Sequence, residues 1–247
     1  MKITVSQNAE ELGETAASKI VQVLRDAINR KGYARIVVST GASQFTTIES
    51  LLKEDVDWGK VTLFHLDEYI GLPETHPASF RKYLHERFVQ RIPMGKAVFV
   101  DGNQRIDTHI TELTALLRAD TIDVGVIGIG ENAHIAFNDP PADFESREAY
   151  IVVNLNHECK MQQVREKWFK TENDVPDQAI TMTCYQIMQC QCIVSPVPYL
   201  AKAKAIRQML DNDCITSDIP ATLLKSHKDF HLFLDKESAS LAKSINL

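Results

Sequence analysis

The chain has 247 residues, of which 44% are hydrophobic and 24% are charged, a composition typical of a soluble globular protein. Its 33 Asp and Glu residues outnumber its 27 Lys and Arg residues, so that the formal net charge is -6. This negative balance argues against a nucleic acid or an anionic membrane as the partner. A small anionic ligand is still compatible with it, because such a ligand needs only a few local donors.

The cysteine pattern predicts reduced thiols. The five cysteines are an odd number, and they form no C-x-x-C pair and have no histidine at zinc-finger spacing. They are Cys159, Cys184, Cys190, Cys192 and Cys214. The start of the chain turns polar too soon for a signal peptide, and the longest uncharged stretch contains glutamines and prolines. We therefore expect a soluble cytoplasmic protein with mostly buried thiols.

Segments typical of strands and helices alternate along the chain. The predicted strands in the first half are Ile3–Val5, Arg35–Ser39, Val61–Leu66, Ala97–Val100 and Ile122–Gly128. The predicted helices there run from the Asn8 cap to Gly32, from Ser79 to Arg91 and from Thr108 to Arg118. In the second half we predict helices at Glu158–Lys170 and Leu200–Leu210 and strands at Cys192–Ser195 and Phe230–Leu234.

This alternation favours an α/β fold with a doubly wound, mainly parallel sheet and helices on both faces. No repeat or linker interrupts it, so we expect residues 1–247 to form a single domain. Ligands of such sheets bind beyond the carboxyl ends of the strands. Candidate site residues are therefore those that directly follow a predicted strand.

Two of these segments carry an anion-binding pattern and a pair of acids. Ser39–Ser43 places small hydroxyl residues around a glycine before a helix, which fits an anion cradle and, equally, a simple turn with a hydroxyl cap. Asp67 and Glu68 follow the next strand. Burying two adjacent carboxylates in one apolar pocket is energetically unfavourable. One of them is therefore a candidate general base and the other an orienting group.

Two further segments carry a histidine and cations. His134 lies in a glycine-bearing loop with Asn132 and Asp139, a setting for an oriented acid or base. Lys202 follows the Cys192–Ser195 strand, on the face where a phosphate would sit, and Arg165 is a second candidate cation.

Together these segments resemble the glucosamine-6-phosphate deaminase family, which is itself similar in fold to the 6-phosphogluconolactonases. The most specific pieces are FHLDEYIGLPETHPASF, GIGENAHIAFNDP and DIPATLLKSHKDFHLFLD. The resemblance covers nearly the whole chain. It implies an enzyme that converts a hexosamine 6-phosphate into a ketose 6-phosphate and ammonia.

The resemblance also implies roles for single residues. Asp67 matches the carboxylate that moves a proton from carbon 2 to carbon 1 of the opened sugar, and His134 matches the acid that opens the ring. Asp139 matches a glutamate that assists the histidine. The substrate-binding positions are Thr40, Gly41, Ala42, Ser43, Glu68, Arg165 and Lys202. Since the chemistry involves no redox change, we expect neither a cofactor nor a metal; the sequence is compatible with a homo-oligomer.

The chain departs from the family pattern next to the histidine. The usual aspartate and glycine of Gly-x-Asp-Gly-His are replaced by Asn132 and Ala133. An asparagine accepts a hydrogen bond from the imidazole or donates one to it, and it carries no charge to stabilise an imidazolium. Three functions are compatible with this sequence. The protein is an enzyme acting on glucosamine 6-phosphate or galactosamine 6-phosphate, a sugar-phosphate-binding protein with weak turnover, or an enzyme that hydrolyses a lactone.

Overall fold

A computed structural model describes residues 1–243 of the chain. The strands are β1 (Lys2–Ser6), β2 (Ala34–Val38), β3 (Val61–His65), β4 (Asp67–Tyr69), β5 (Lys96–Val98), β6 (Val124–Val126), β7 (Tyr150–Asn154), β8 (Gln178–Met182), β9 (Cys192–Val197) and β10 (Phe230–Asp235). The α-helices are α1 (Ala9–Lys31), α2 (Phe45–Leu51), α3 (Phe80–Arg87), α4 (Ile106–Arg118), α5 (His157–Arg165), α6 (Cys184–Ile187), α7 (Ala203–Asp211) and α8 (Lys236–Ala239).

Seven strands form one parallel sheet in the order β1-β10-β9-β6-β2-β3-β5. Its central strands are the β-branched runs of the sequence, and β2 is buried along its whole length. A strand covered on both faces has no reason to alternate polar and apolar residues. The predicted α/β fold class with a mainly parallel sheet is confirmed.

Neighbouring residues of β2 pack into two different cores. Val37 belongs to the core that contains residues of α4, α6 and α7, whereas Ile36 and Val38 belong to the core that contains residues of α1, α2 and α3. Successive side chains of a strand point to opposite faces of its sheet. Helices therefore cover both faces, as the alternation of elements predicts.

A second sheet, which the sequence did not reveal, contains three antiparallel strands in the order β4-β8-β7. Asp67, the first residue of β4, pairs with Thr181 of β8. Strand β4 has three residues and follows β3 after the single residue Leu66, and its two acids come directly after the apolar run, so the sequence indicated no further strand there. Its pairing with β8 joins segments more than a hundred residues apart, which local periodicity does not predict.

The helix boundaries follow the expected capping residues. The Asn8 side chain accepts a hydrogen bond from the Glu11 amide at the start of α1, and Gly32 ends the helix with a φ of 84°. Ser79 caps α3. The prediction for Glu158–Lys170 was too long, because α5 ends at Arg165 and Lys167 turns the chain with a φ of 64°.

The cysteines are free, as expected, and four of them are buried while Cys214 is exposed. No helix within residues 1–243 has the length and apolar character needed to cross a membrane. The expectation of one domain over residues 1–247 stays a prediction, and its last four residues lie outside the described part of the chain.

Candidate active site

A cavity of about 230 Å³ opens at the carboxyl ends of the parallel strands. Segments that follow β2, β3, β6 and β9 line it, together with residues of α5. Its lining includes Thr40, Gly41, Ala42, Ser43, Asp67, His134 and Lys202. Seven of the eleven residues predicted to form the site therefore meet at one cavity, at the end of the sheet where α/β proteins bind ligands.

The loop after β2 is held in place from two sides. The Ser39 hydroxyl accepts a hydrogen bond of 3.0 Å from the Gly128 amide, and the Tyr83 hydroxyl donates one of 2.9 Å to the Gly41 carbonyl. Gly41 has a φ of 101°, a conformation that favours glycine. A short 3₁₀ helix over Ala42–Gln44 follows. Amides at the start of a helix lack partners in the helix and suit an anion, while Ala42 lies exposed at the cavity edge.

Asp67 presents a carboxylate to the cavity from the first position of β4. Asp67 is only 6% exposed to solvent. Burial, and then the neighbouring Glu68, raise the pKa of Asp67 to about 8, with no hydrogen bond within residues 1–243 to offset them. A carboxylate with a pKa near neutrality and without a hydrogen-bond partner is suited to accept a proton from a ligand in the cavity.

Glu68, a predicted substrate-binding residue, lies on the other side of the same strand, outside the cavity lining. Strand alternation turns its side chain away from Asp67, and it does not line the cavity. It is fully buried, and its oxygens accept hydrogen bonds from the start of α3. The donors are the Tyr69, Phe80 and Arg81 amides, the Ser79 hydroxyl and the Arg81 guanidinium. Glu68 thus anchors α3 to β4.

His134 lies against the backbone of Gly130. A Cβ atom at position 130 would lie 2.2 to 2.4 Å from three atoms of the imidazole, so that only glycine leaves room for the ring. The Gly130 amide also donates a hydrogen bond of 2.9 Å to the His134 carbonyl. The intervening Ala133 is buried and has a φ of 65°, in the left-handed region that favours glycine. This tight loop holds the imidazole at the cavity wall.

Asn132 and Asp139 orient the imidazole from behind. The Asn132 Oδ1 atom accepts from the His134 amide at 3.2 Å, which assigns Nδ2 as the atom that donates to Asp139 at 3.1 Å. The same Oδ1 lies 2.6 Å from His134 Nδ1, so the imidazole carries its proton on Nδ1. Of the two roles open to Asn132 from the sequence, acceptor or donor toward the ring, the structure has it as acceptor.

Asp139 supplies the negative charge that Asn132 lacks. Its Oδ1 atom lies 3.2 Å from His134 Nδ1. Burial by itself would raise the pKa of Asp139, but hydrogen bonds and charge from His134, with hydrogen bonds from Asn132 and Cys159, lower it below its usual value. Asp139 is therefore ionised at neutral pH beside the imidazole. Asn132 and Asp139 do not line the cavity themselves.

Lys202 is the cation that the cavity wall presents. It is buried in a short 3₁₀ helix over Leu200–Lys202. Burial lowers its pKa, against the opposing effect of the Glu166 and Glu131 carboxylates. A buried ammonium group facing a cavity favours an anionic ligand there.

Arg165 does not line this cavity, contrary to its predicted place in the phosphate set. Its side chain is about half exposed and pairs with Glu131 Oε2 at 3.1 Å. It borders a neighbouring groove that also includes Lys204 and Asn132. The physical reason is that α5 ends at Arg165, so this residue lies at the outer side of the helix end.

Residues of α5 and the turn after it complete the wall, and sequence reasoning missed them. They are Gln162, Gln163, Glu166 and Trp168. The Glu166 carboxylate accepts hydrogen bonds from Gln162 at 2.7 Å and from the Trp168 indole at 3.2 Å. Gln162 and Gln163 are buried although they are polar, and two adjacent glutamines in a helix were the signal in the sequence that marked this face.

Comparisons with known proteins identify the family of the chain. A family model described as glucosamine-6-phosphate isomerases/6-phosphogluconolactonase matches residues 7–232. A glucosamine-6-phosphate deaminase of Lactobacillus delbrueckii subsp. bulgaricus is 30% identical over 98% of this chain and 100% of its own length.

Solved structures resemble the chain over its whole length. A monomeric glucosamine-6-phosphate deaminase superimposes with a TM-score of 0.88 and 29% identity, covering 98% of this chain and 100% of that one. A 6-phosphogluconolactonase from Trypanosoma brucei has a TM-score of 0.79 at 17% identity and covers 97% of each chain. The second likeness concerns the fold alone.

Proposed function

Because this chain belongs to the family of glucosamine-6-phosphate isomerases and 6-phosphogluconolactonases, we propose that it isomerises and deaminates a hexosamine 6-phosphate. The substrate is glucosamine 6-phosphate or galactosamine 6-phosphate, and the products are a ketose 6-phosphate and ammonia. One observation carries the proposal. A carboxylate without a hydrogen-bond partner, an oriented imidazole and a buried ammonium group line the same cavity, at Asp67, His134 and Lys202.

The phosphate binds at the loop after β2 and at Lys202. The amides and hydroxyls of Thr40–Ser43 donate hydrogen bonds, and the ammonium group neutralises part of the charge. Among residues 1–243, Lys202 is the one Lys or Arg side chain in the cavity lining, so neutral donors stabilise most of the remaining phosphate charge. A bound phosphate also holds the sugar in one orientation relative to the catalytic side chains. This lowers the entropic part of the activation barrier.

His134 opens the ring of the sugar. Its Nδ1–H is engaged by Asn132 and Asp139, so the unprotonated Nε2 takes the proton of the hydroxyl on carbon 1 and passes it to the ring oxygen, which opens the ring. The imidazole in that step passes through a cationic form, which the ionised Asp139 stabilises. Asn132 fixes the tautomer by its hydrogen bond.

Asp67 then transfers the proton of the opened sugar. It takes the proton from carbon 2 and returns it to carbon 1, while one amino proton passes to the oxygen on carbon 1, which leaves an imine at carbon 2. Addition of one water molecule and departure of ammonia give the ketose. The raised pKa of Asp67 makes it a stronger base than an ordinary carboxylate, as this step requires.

The test is an ammonia-release assay on glucosamine 6-phosphate, galactosamine 6-phosphate and mannosamine 6-phosphate with the wild-type protein and Asp67→Asn. Loss of a general base reduces turnover by about 10²- to 10⁴-fold. The matched control is Asp57→Asn, which removes a carboxylate that is about half exposed on the surface. We expect this control to keep wild-type activity.

The remaining readings have distinct outcomes in the same assay. Equal ammonia release by the wild-type protein and Asp67→Asn would overturn the assigned base. Thermal stabilisation by a hexosamine 6-phosphate without ammonia release would instead identify a sugar-phosphate-binding protein. Hydrolysis of 6-phosphogluconolactone without ammonia release would identify a lactonase.

A further inference from the structure

A second cluster of chemically active side chains lies at the opposite end of the parallel sheet. Cys192 is the first residue of β9, Asp229 directly precedes β10, and His231 is the second residue of β10. Strands β9 and β10 are parallel neighbours, and the Ile193 amide donates a hydrogen bond of 2.9 Å to the Asp229 carbonyl. The amino ends of two adjacent strands thus bring the three residues together, far from the cavity at the carboxyl ends.

The three side chains lie close together. The Asp229 Oδ1 atom lies 2.9 Å from His231 Nε2. One sulfur, one imidazole nitrogen and one carboxylate oxygen all lie within 4.8 Å of each other. Cys192 and His231 are 2% and 7% exposed, and both stand on strands. Their positions are therefore fixed by the sheet rather than by a loop.

We propose that Cys192, Asp229 and His231 bind a divalent cation of the zinc class. Sulfur, imidazole and carboxylate are the ligands that zinc takes in proteins, whereas magnesium and calcium prefer oxygen alone. Three protein ligands leave one tetrahedral position for water. The thiolate and the carboxylate carry two negative charges, which balance the charge of the ion.

The surroundings of the cluster provide access for the metal. A surface groove reaches Cys192 and Asp229, and its other charged lining residues are Asp26, Asp123, Lys19, Arg30 and Lys228. The Asp229 side chain is 42% exposed, so water reaches the open position. The positive charge of Lys19 acts on Cys192 and His231 and would repel a metal ion. It therefore lowers the metal affinity relative to a site without nearby cations.

The test is a zinc titration of the full chain after treatment with a chelator, in competition with a chromophoric chelator. We expect one zinc ion per chain. Cys192→Ser and His231→Gln each remove a ligand and should weaken binding by about 10- to 100-fold or more. The matched control is Cys214→Ser, an exposed thiol outside the cluster, which should bind zinc as the wild type does.

Cobalt(II) gives a readout that separates ligation from a structural role. A thiolate-to-cobalt absorption band in the near ultraviolet should appear in the wild type and in Cys214→Ser, and should be absent in Cys192→Ser. Absence of this band from the wild-type protein would overturn the proposal, as would equal zinc binding by the ligand variants and the wild type. Ammonia release without added metal and the unfolding temperature report whether each variant is folded.

Discussion

Asp67 is a buried carboxylate and Asp139 a half-buried one, both at the carboxyl end of the sheet, but the protein surrounds them in opposite ways. Asp67 lacks hydrogen-bond donors among residues 1–243, and burial raises its pKa to about 8. Burial also acts to raise the pKa of Asp139, yet hydrogen bonds from His134 and Asn132 hold it below its usual value. The donors and the positive charge around Asp139 therefore offset the effect of burial, whereas nothing offsets it at Asp67 within residues 1–243.

This difference separates the two chemical roles of the proposed reaction. A carboxylate with a raised pKa serves as a base, and one with a lowered pKa serves as a constant negative charge beside an imidazole. Three of the four predictions below test this difference and the last tests the loop that holds His134, beginning with the largest expected effect.

Asp139→Asn removes the constant charge and should lower kcat by about 10²-fold or more, because the imidazolium of His134 loses its counterion. Ammonia release under saturating substrate measures the effect. Asp213→Asn, an exposed aspartate on the surface, is the control. Retention of wild-type kcat by Asp139→Asn would mean that the charge is not used.

A double variant sharpens this test. Asn132 Oδ1 already lies 2.6 Å from His134 Nδ1, so Asn132→Asp places a carboxylate at that contact. We expect Asn132→Asp combined with Asp139→Asn to recover most of the activity that Asp139→Asn loses. A double variant as weak as the single one would show that the position of the charge, and not its presence, is decisive.

The pH dependence of kcat/KM should report the pKa of Asp67. The base must be ionised, so the value should rise by roughly tenfold per pH unit below about 8 and level off above it. Initial rates of ammonia release between pH 5.5 and 9.5, in buffers of constant ionic strength, measure the profile. A plateau that begins near pH 5 would indicate an ordinary carboxylate and would remove the contrast with Asp139.

Asp67→Asn should stabilise the fold, and more so at pH 8 than at pH 5. The folded protein keeps the Asp67 proton up to about pH 8, whereas the unfolded chain releases it near pH 4. The wild type therefore loses stability as pH rises through this window, by up to about 1.4 kcal/mol in the free energy of unfolding per pH unit. The variant lacks this loss.

Urea unfolding of both proteins at pH 5 and pH 8 measures the difference. Asp139→Asn should have the opposite sign, since the lowered pKa of Asp139 adds stability above pH 4 that is lost as pH falls. An equal gain for Asp67→Asn at both pH values would contradict the assigned pKa.

The smallest effect is expected for Ala133→Gly. Relief of the left-handed backbone at a φ of 65° favours glycine, while loss of a buried methyl group and a more flexible unfolded chain favour alanine. We expect the free energy of unfolding to change by less than about 1 kcal/mol and kcat to stay within about threefold. A large loss of activity would show that the alanine itself positions His134.

The amino-acid sequence predicted the parallel sheet because its strands are local, buried, β-branched runs. It did not predict the antiparallel strands β4, β7 and β8, whose pairing depends on distant partners. The sequence also predicted the candidate site residues that directly follow a strand, such as Asp67 and His134. Arg165 and Glu68 do not line the cavity as the sequence predicted, because a side chain's direction at a helix end or within a three-residue strand depends on packing.

The alternation of β4 has an evolutionary consequence. Asp67 and Glu68 differ in chemistry only because one points into the cavity and the other into the packing around α3. Gain or loss of one residue between β3 and β4 would exchange their directions, which would bury the base among amides and leave the anchor in the cavity. Homologous chains that retain the reaction should therefore keep the length of this connection fixed, even where its amino acids are substituted.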